Sequence, residues 1–163
     1  MNDIRAAVTT LAGPRFTRRA ALSGAAGLVL TAVAGSVAAQ DRTRTIPQPD
    51  RPGRAAFMER AFEMRRLAVA RGDQPYGAVI VKADRIVGEG ASAVVTDDDP
   101  TAHAEMVAIR DAARRLGSRD LSGCEMYGTS PACPMCEAGA YWARITRLLH
   151  GATIVDAGPP RLR

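Results

Sequence analysis

The chain has 163 residues, of which 47% are hydrophobic, and this is enough for one globular domain with a buried core. Its formal net charge of +5 is unevenly distributed. Residues 1–39 hold four arginines and one acidic side chain, whereas residues 40–163 hold 18 basic and 16 acidic ones. The main part of the chain therefore lacks the charge excess of a nucleic-acid-binding surface, and we expect no nucleic-acid partner.

Residues 1–39 have the pattern of an export signal peptide. Basic residues precede a moderately apolar run, "ALSGAAGLVLTAVAGSVAAQ", in which Val37 and Ala39 occupy the −3 and −1 positions of a cleavage site. Arg18 and Arg19 resemble a twin-arginine signal. We expect export, through twin-arginine translocation, to a periplasmic or exterior location without stable membrane association after cleavage. An ordinary secretory signal and an uncleaved anchor are the alternatives.

Two segments follow the leader. The polar, proline-rich residues 40–53 predict a linker. The next segment, "RAAFMERAFEMRRLAVARG", predicts an amphipathic helix that stops at Gly72. Its apolar positions recur at helical spacing, at Phe57, Ala61, Met64 and Leu67.

The middle of the chain predicts a hairpin and a second helix. "YGAVIVKADRIVGEGASAVV" predicts two strands around a tight turn at Ala83 and Asp84. "HAEMVAIRDAARRLG" predicts a helix that ends at Gly117. We expect its inner stripe to be Met106, Ile109, Ala113 and Leu116. We expect its outer face to carry Arg110, Asp111, Arg114 and Arg115.

Three more elements complete the domain, which we assign to residues 54–163. "GCEMYG" predicts a short strand, "CPMCEAGAYWARI" a third helix with Pro134 in its first turn, and "RLLHGATIV" a last strand. The order is helix, strand, strand, helix, strand, helix, strand. It predicts a layered α/β sandwich.

The starts of the second and third helices carry metal-ligand residues. Cys133 and Cys136 are three apart, so their sulfur atoms lie on one side of a helical turn, at a helix N-terminus that favours thiolates. If His103 faces them, the three side chains can bind tetrahedral zinc and leave one position open. Glu105 is a poor fourth ligand beside thiolates and suits a proton shuttle.

Less specific interpretations of the same residues remain. Cys124 could complete a closed structural zinc site, although core packing suits it better. The C-x-x-C pair could be a redox pair, although no thioredoxin-like context precedes it. His150 lies in an apolar strand, where a core or edge position is expected.

The pairing of H-A-E at residues 103–105 with C-P-M-C at residues 133–136 resembles the cytidine-deaminase-like superfamily of zinc deaminases. "DPTAHAEMVAIRDAARRLG" and "CPMCEAGAYWARI" are most similar to bacterial guanine deaminases and related nucleoside deaminases. The resemblance covers about residues 54–155 and implies a three-layer α/β/α sandwich with a mixed sheet. It implies one zinc ion per chain, bound by His103, Cys133 and Cys136.

The resemblance also implies roles for two residues beside the metal ligands. Glu105 would take a proton from the zinc-bound water, deliver it to a ring nitrogen of the substrate and help the amine leave as ammonia. The backbone N–H of Ala104 would help to hold the base.

Three features depart from the family pattern. Pro131 and Ala132 stand where the family usually has Glu-Pro. Ser92 stands eleven residues before His103, where an asparagine commonly contacts the substrate, and we expect Ser92 to take that contact. The sequence stops after "DAGPPRLR", so we expect a C-terminus shorter than usual.

We therefore expect zinc-dependent hydrolytic deamination of a nucleobase or nucleoside, with a guanine-type substrate favoured. A catalytically inactive zinc-binding protein of the same fold is the alternative. A cytosine, cytidine or tRNA adenosine deaminase is the alternative within the class. The expected partners are the small-molecule substrate and a second copy, in a homodimer through the face of the third helix.

Overall fold

The computed structural model describes residues 44–162, so the predicted signal peptide lies outside the described residues. Three helices and five strands make up this part of the chain. The helices are α1 (Arg54–Ala70), α2 (Ala104–Leu116) and α3 (Pro134–Trp142). The strands are β1 (Gly77–Lys82), β2 (Arg85–Ala91), β3 (Cys124–Gly128), β4 (Arg147–His150) and β5 (Val155–Gly158). No helix within residues 44–162 is both long and apolar enough to cross a membrane.

The strands form one mixed sheet in the order β2-β1-β3-β4-β5. Strands β3 and β4 run parallel, and the other neighbouring pairs are antiparallel. The mixed sheet is confirmed, but the prediction of one last strand over "RLLHGATIV" was wrong. Gly151 and Ile154 adopt positive φ angles of 76° and 55°, so the chain turns there and returns as β5. Because "RLLHGATIV" is mostly apolar, a prediction based on hydrophobicity does not detect the turn within it.

The sheet is covered on both faces, which confirms the three-layer α/β/α architecture. Helix α1 covers one face, where Phe57 meets Tyr127 edge to face with ring centroids 5.5 Å apart. Helices α2 and α3 cover the other face. The side chains of β1 alternate between the two cores, with Val79 on the α1 side and Ile80 on the α2 side. Cys124 is buried in the core on the α2 side of the sheet, as its sequence context predicted.

Helix α2 buries a different stripe from the predicted one. Its buried side includes Ala104, Ala108 and Ala112, and of the predicted stripe only Ile109 is buried. Leu116 is 39% exposed, and Met106 and Ala113 are only partly buried. The small alanine side chains thus lie innermost, while larger apolar side chains stand at the edges of the contact.

Two glycines of β2 explain why the alanine side of α2, rather than the predicted stripe, faces the sheet. A Cβ atom at Gly88 would lie 2.6 Å from the Ala112 amide nitrogen, and one at Gly90 would lie 2.5 Å from the Ala108 amide nitrogen. Because real Cβ atoms do not approach so closely, the backbone of α2 lies directly on the backbone of β2 only where side chains are missing.

Asp111 is also placed differently from the prediction. It was assigned to the outer face of α2 but is buried, with 4% of its surface exposed. Its Oδ2 atom accepts hydrogen bonds from the Glu89 amide at 3.1 Å and from Arg115 Nε at 2.8 Å. These partners come from β2 and from the next turn of the helix, so helical periodicity alone could not identify them.

The described part of the predicted linker packs on the domain. Ile46 is buried against α1 and the sheet. The Gln48 side chain accepts a hydrogen bond from the Ile86 amide at 2.8 Å and donates one to the Ile86 carbonyl at 2.9 Å. Arg44 pairs with the buried carboxylate of Glu89. These residues have no helix or strand of their own, yet they take part in the folded core.

Replacing Gly90 with alanine should destabilise the domain, because the added methyl group would force α2 away from β2. We expect the free energy of unfolding in urea to fall by about 2 kcal/mol or more. Gly53→Ala is the control, since a methyl group there meets no atom within 4 Å. Equal losses at the two positions would contradict the close contact of α2 with β2.

Candidate metal centre and substrate pocket

The three predicted metal ligands lie at the beginnings of two helices. His103 and Cys133 are the N-cap residues of α2 and α3, and Cys136 lies in the first turn of α3. The two helices contact each other near these starts. A Cβ atom at Gly139 of α3 would lie 2.6 Å from the Met106 sulfur of α2, so the Met106 side chain packs directly on the backbone of α3 at this position.

The ligand atoms form a nearly equilateral triangle. The His103 Nδ1 atom is 3.6 Å from the sulfur of Cys133 and 3.6 Å from that of Cys136, and the two sulfur atoms are 3.6 Å apart. Tetrahedral zinc, with bonds of about 2.3 Å to sulfur and about 2.0 Å to nitrogen, needs separations of about 3.5–3.8 Å. The residues therefore fit a zinc ion with three protein ligands.

Within residues 44–162, the side chains that gather as a possible metal site are His103, Cys133 and Cys136. Cys124 is not among them, because it is buried in the core at the start of β3. The alternative of a closed site with Cys124 as the fourth ligand has no support in this geometry. A three-ligand site keeps a coordination position for a reacting group.

The environment of Cys136 also suits a bound cation. Burial raises the pKa of its thiol, and the nearby carboxylate of Glu105 and the thiol of Cys133 raise it further. A thiolate at this place needs a compensating positive charge. Two sulfur ligands and one imidazole are a donor set that zinc accepts.

Glu105 lies beside the metal site and is almost fully buried, with 5% of its surface exposed. Its Oε2 atom is 3.7 Å from the Cys136 sulfur. Burial raises the pKa of Glu105, while its own backbone N–H and the nearby His103 act in the opposite direction. A carboxyl group with a raised pKa is a stronger proton acceptor than an ordinary one, which suits a group that carries protons in catalysis.

Two cavities meet at Glu105. The first, of about 400 Å³, lies against the metal ligands, and the second, of about 200 Å³, extends toward β4 and the C-terminal segment. Both are bordered by Glu105, Ser130 and Pro131. The first is lined by Gln74, Tyr76, His103, Glu105, Ser130, Pro131 and Cys133. A ligand in the first cavity would thus lie against the candidate metal site and Glu105 together.

The two predicted substrate contacts lie on either side of His103 in the chain. Ala104 is fully buried, and its N–H has no intrahelical acceptor because it is the first residue of α2. Ser92 is 2% exposed and does not line either cavity. Its amide donates to the Tyr76 carbonyl at 3.1 Å, whereas its hydroxyl lacks a partner with normal hydrogen-bond geometry. A direct contact from Ser92 to the substrate stays a prediction.

Some residues at the cavities were not identified from the sequence. Gln74 and Tyr76 precede β1 in a loop, where hydrophobic periodicity carries no signal. His150 was expected in the core or at an edge. It is partly buried at the end of β4 and lines the second cavity. Only the three-dimensional fold brings these side chains to Glu105.

The sequence and fold match known deaminases. Residues 53–152 match the family model described as the cytidine and deoxycytidylate deaminase zinc-binding region. A guanine deaminase of Bacillus subtilis (strain 168) is 43% identical over 102 residues, which are 62% of this chain and 65% of that protein. A tRNA-specific adenosine deaminase of Aquifex aeolicus (strain VF5) is 39% identical over 100 residues, which are 61% of this chain and 66% of that protein.

The structural comparison agrees with the sequence comparison. The X-ray structure of the Bacillus subtilis guanine deaminase superposes with a TM-score of 0.59 at 42% identity, covering 61% of this chain and 64% of that one. The match thus spans slightly less than two thirds of each curated relative named above.

Replacing a predicted ligand should remove the metal. We expect zinc-loaded wild-type protein to hold about one zinc ion per chain, and His103→Ala and Cys136→Ala to hold far less after dialysis, measured by atomic emission. His150→Ala and Cys124→Ala are matched controls, because these side chains lie outside the ligand triangle. Metal loss in a control, with retention in His103→Ala, would contradict the assignment.

Proposed function

The chain belongs to the cytidine and deoxycytidylate deaminase zinc-binding family, and on that premise we propose that it deaminates a nucleobase or nucleoside by hydrolysis. In this reaction the C–N bond to an exocyclic amine breaks, a C=O bond forms with the oxygen of water, and ammonia is released. The enzyme would be a hydrolase acting on the C–N bond of a cyclic amidine. One observation carries the proposal: the buried carboxylate of Glu105 lies 3.7 Å from a ligand sulfur and borders the cavity beside the metal site.

The positions of the residues support the following roles. His103, Cys133 and Cys136 would hold a zinc ion, which supplies the Lewis acidity that makes water nucleophilic near neutral pH. Glu105 takes a proton from the attacking water and gives it to a ring nitrogen of the substrate. It then takes the second proton from the hydroxyl group that has been added to the ring carbon and gives it to the amine, which leaves as ammonia while the C=O bond forms. The Ala104 N–H, at the start of α2, donates a hydrogen bond to the ring.

A guanine-type base is the favoured substrate. The guanine deaminase relative supports it at 43% identity, and a cavity of about 400 Å³ lies within the usual size range of small-molecule sites. A tRNA adenosine substrate has the support of the Aquifex relative at 39% identity. The near balance of 18 basic and 16 acidic side chains in residues 40–163 favours the small molecule, because binding to a tRNA backbone depends on positive charge.

Export and self-association are further parts of the proposal. The basic and apolar pattern of residues 1–39 supports twin-arginine export to the periplasm or beyond. Trp142 is 73% exposed and Tyr141 43% exposed on α3, and these aromatic side chains support a homodimer through that face. Sedimentation velocity distinguishes a dimer from a monomer directly.

Ammonia release tests the proposed activity. The zinc-loaded domain from Gln40 onward, offered guanine, adenine, cytosine and their nucleosides, should release ammonia from at least one, with guanine favoured. Glu105→Gln should lower kcat by about 10²–10⁴-fold, because it removes the proton carrier and leaves the metal ligands in place.

Glu59→Gln is the control for this measurement, because its carboxylate is exposed on α1 and pairs with Arg66. It should leave kcat unchanged. If wild-type protein with about one zinc ion bound per chain released no ammonia from any of these compounds, base deamination would be rejected. This result would favour the inactive zinc-binding alternative.

Export is tested by mass spectrometry of the full-length chain expressed in a bacterium with a twin-arginine pathway. We expect periplasmic protein that begins at Gln40. Replacing both Arg18 and Arg19 with lysine should leave the precursor in the cytoplasm. Periplasmic product from the double-lysine variant would favour the ordinary secretory route instead.

A further inference from the structure

The loop before β1 forms a wall of the cavity beside the metal site. Gln74 and Tyr76 line this cavity together with His103 and Glu105, and Tyr76 is 41% exposed. Neither residue belongs to the metal-ligand motifs. Their placement next to His103 and Glu105 puts an amide and an aromatic ring where a bound base would lie.

A buried carboxylate anchors this loop. Asp73 is 8% exposed, and both of its oxygen atoms accept hydrogen bonds from the backbone. The Oδ1 atom accepts from the Gln74 amide at 2.7 Å, and Oδ2 accepts from the amides of Val95 and Thr96, each at 2.9 Å. Partial burial raises the pKa of Asp73, but these bonds and the neighbouring Ser92 hydroxyl lower it more, so the net pKa is well below its usual range. The charged side chain thus joins the 73–76 loop to the loop after β2.

Backbone contacts hold the remainder of the wall. The Tyr76 carbonyl accepts from the Ser92 amide at 3.1 Å, and the Tyr76 amide donates to the Gln74 carbonyl at 2.7 Å. The next residue, Gly77, exchanges hydrogen bonds with Thr129 through its amide and carbonyl at 3.1 and 3.0 Å. Thr129 directly precedes Ser130, which lines the same cavity. The loop that carries Gln74 and Tyr76 is therefore tied to the segment that carries Ser130.

We propose that Gln74 and Tyr76 form the substrate-selecting wall of this site, and that Asp73 is the positioning residue that fixes them. This inference rests on the proposed function and names the residues that choose its substrate. The Tyr76 ring provides a face for stacking on a planar base. The Gln74 side-chain amide has both a donor and an acceptor, which matches a ring edge with an N–H beside a C=O, as in guanine.

The wall also accounts for the placement of Ser92. Its side chain does not line the cavity, but its amide holds the Tyr76 carbonyl. Ser92 therefore supports Tyr76 through its backbone rather than through its side chain. The shorter serine side chain is compatible with a site in which Gln74 supplies the polar contact.

Equilibrium binding tests the wall apart from turnover. Zinc-loaded Glu105→Gln protein is the parent, and guanine is the probe. In this background we expect Tyr76→Ala and Gln74→Ala each to raise the Kd for guanine by about tenfold or more. Tyr76→Phe, which keeps the ring, should bind within about twofold of the parent. Zinc content should stay at about one per chain in every variant.

Kinetics in the Glu105-containing enzyme separate positioning from general destabilisation. In Asp73→Asn one of the two acceptor oxygens becomes an N–H donor, so the side chain can accept hydrogen bonds either from the Gln74 amide or from the loop after β2, but not from both. We expect this variant to raise the KM for guanine about tenfold while kcat changes less than about threefold. Asp120→Asn is the matched control, because Asp120 also accepts backbone and side-chain hydrogen bonds but lies away from this cavity. Its KM should stay unchanged.

The outcomes separate this inference from the proposed function. Guanine binding that is the same in parent, Tyr76→Ala and Gln74→Ala would overturn the wall, even if the wild-type protein releases ammonia. A parent that binds no guanine would overturn it as well. Weakened binding in both alanine variants, with no ammonia from the wild-type enzyme, would support the wall and reject deamination. An equal rise of KM in Asp73→Asn and Asp120→Asn would overturn the positioning role.

Discussion

The site depends on a contact between two backbones, that of α2 and that of β2. Gly88 and Gly90 carry no side chain where Ala108 and Ala112 approach the strand. This contact fixes the height and rotation of α2 on the sheet. It therefore fixes where the helix begins and where the imidazole of His103 points. A side chain at either glycine would move the metal site as well as the core.

The close packing also creates the chemistry of the site. Because α2 and α3 pack tightly on one face of the sheet, a carboxyl group and a thiol are removed from water beside one another, at Glu105 and Cys136. Such a pair is costly to bury with full negative charge. A divalent cation between the two helix starts would offset that cost. In the proposed reaction the same burial would favour proton transfer by Glu105, so metal binding and proton transfer would rely on one desolvated region.

The sequence predicted the parts of the structure that local spacing controls. The hairpin turn at Ala83 and Asp84, the stop of α2 at Gly117 and the placement of Cys133 and Cys136 on one helical turn follow from short patterns. The meeting of His103 with this pair was expected from the family resemblance, and the fold confirms it. Each pattern contains its own physical reason, such as a positive φ angle or one turn of a helix.

Patterns failed where the decisive partner is distant in the chain. The buried stripe of α2 could not be found from the helix alone, because Gly88 and Gly90 lie on another element. Asp111 was assigned to the surface because its partner, the amide of Glu89, belongs to β2. Gln74 and Tyr76 lie in a loop, and the folded chain alone places them beside Glu105.

The described part of the linker, residues 44–53 before α1, has a consequence for association between chains. Strand β2 is at the edge of the sheet, where free N–H and C=O groups could recruit a strand from another molecule. The side chain of Gln48 occupies both groups of Ile86, and the carboxylate of Asp111 occupies the amide of Glu89. These three groups are thereby unavailable to a strand from another molecule, which disfavours intermolecular sheet extension at this part of β2.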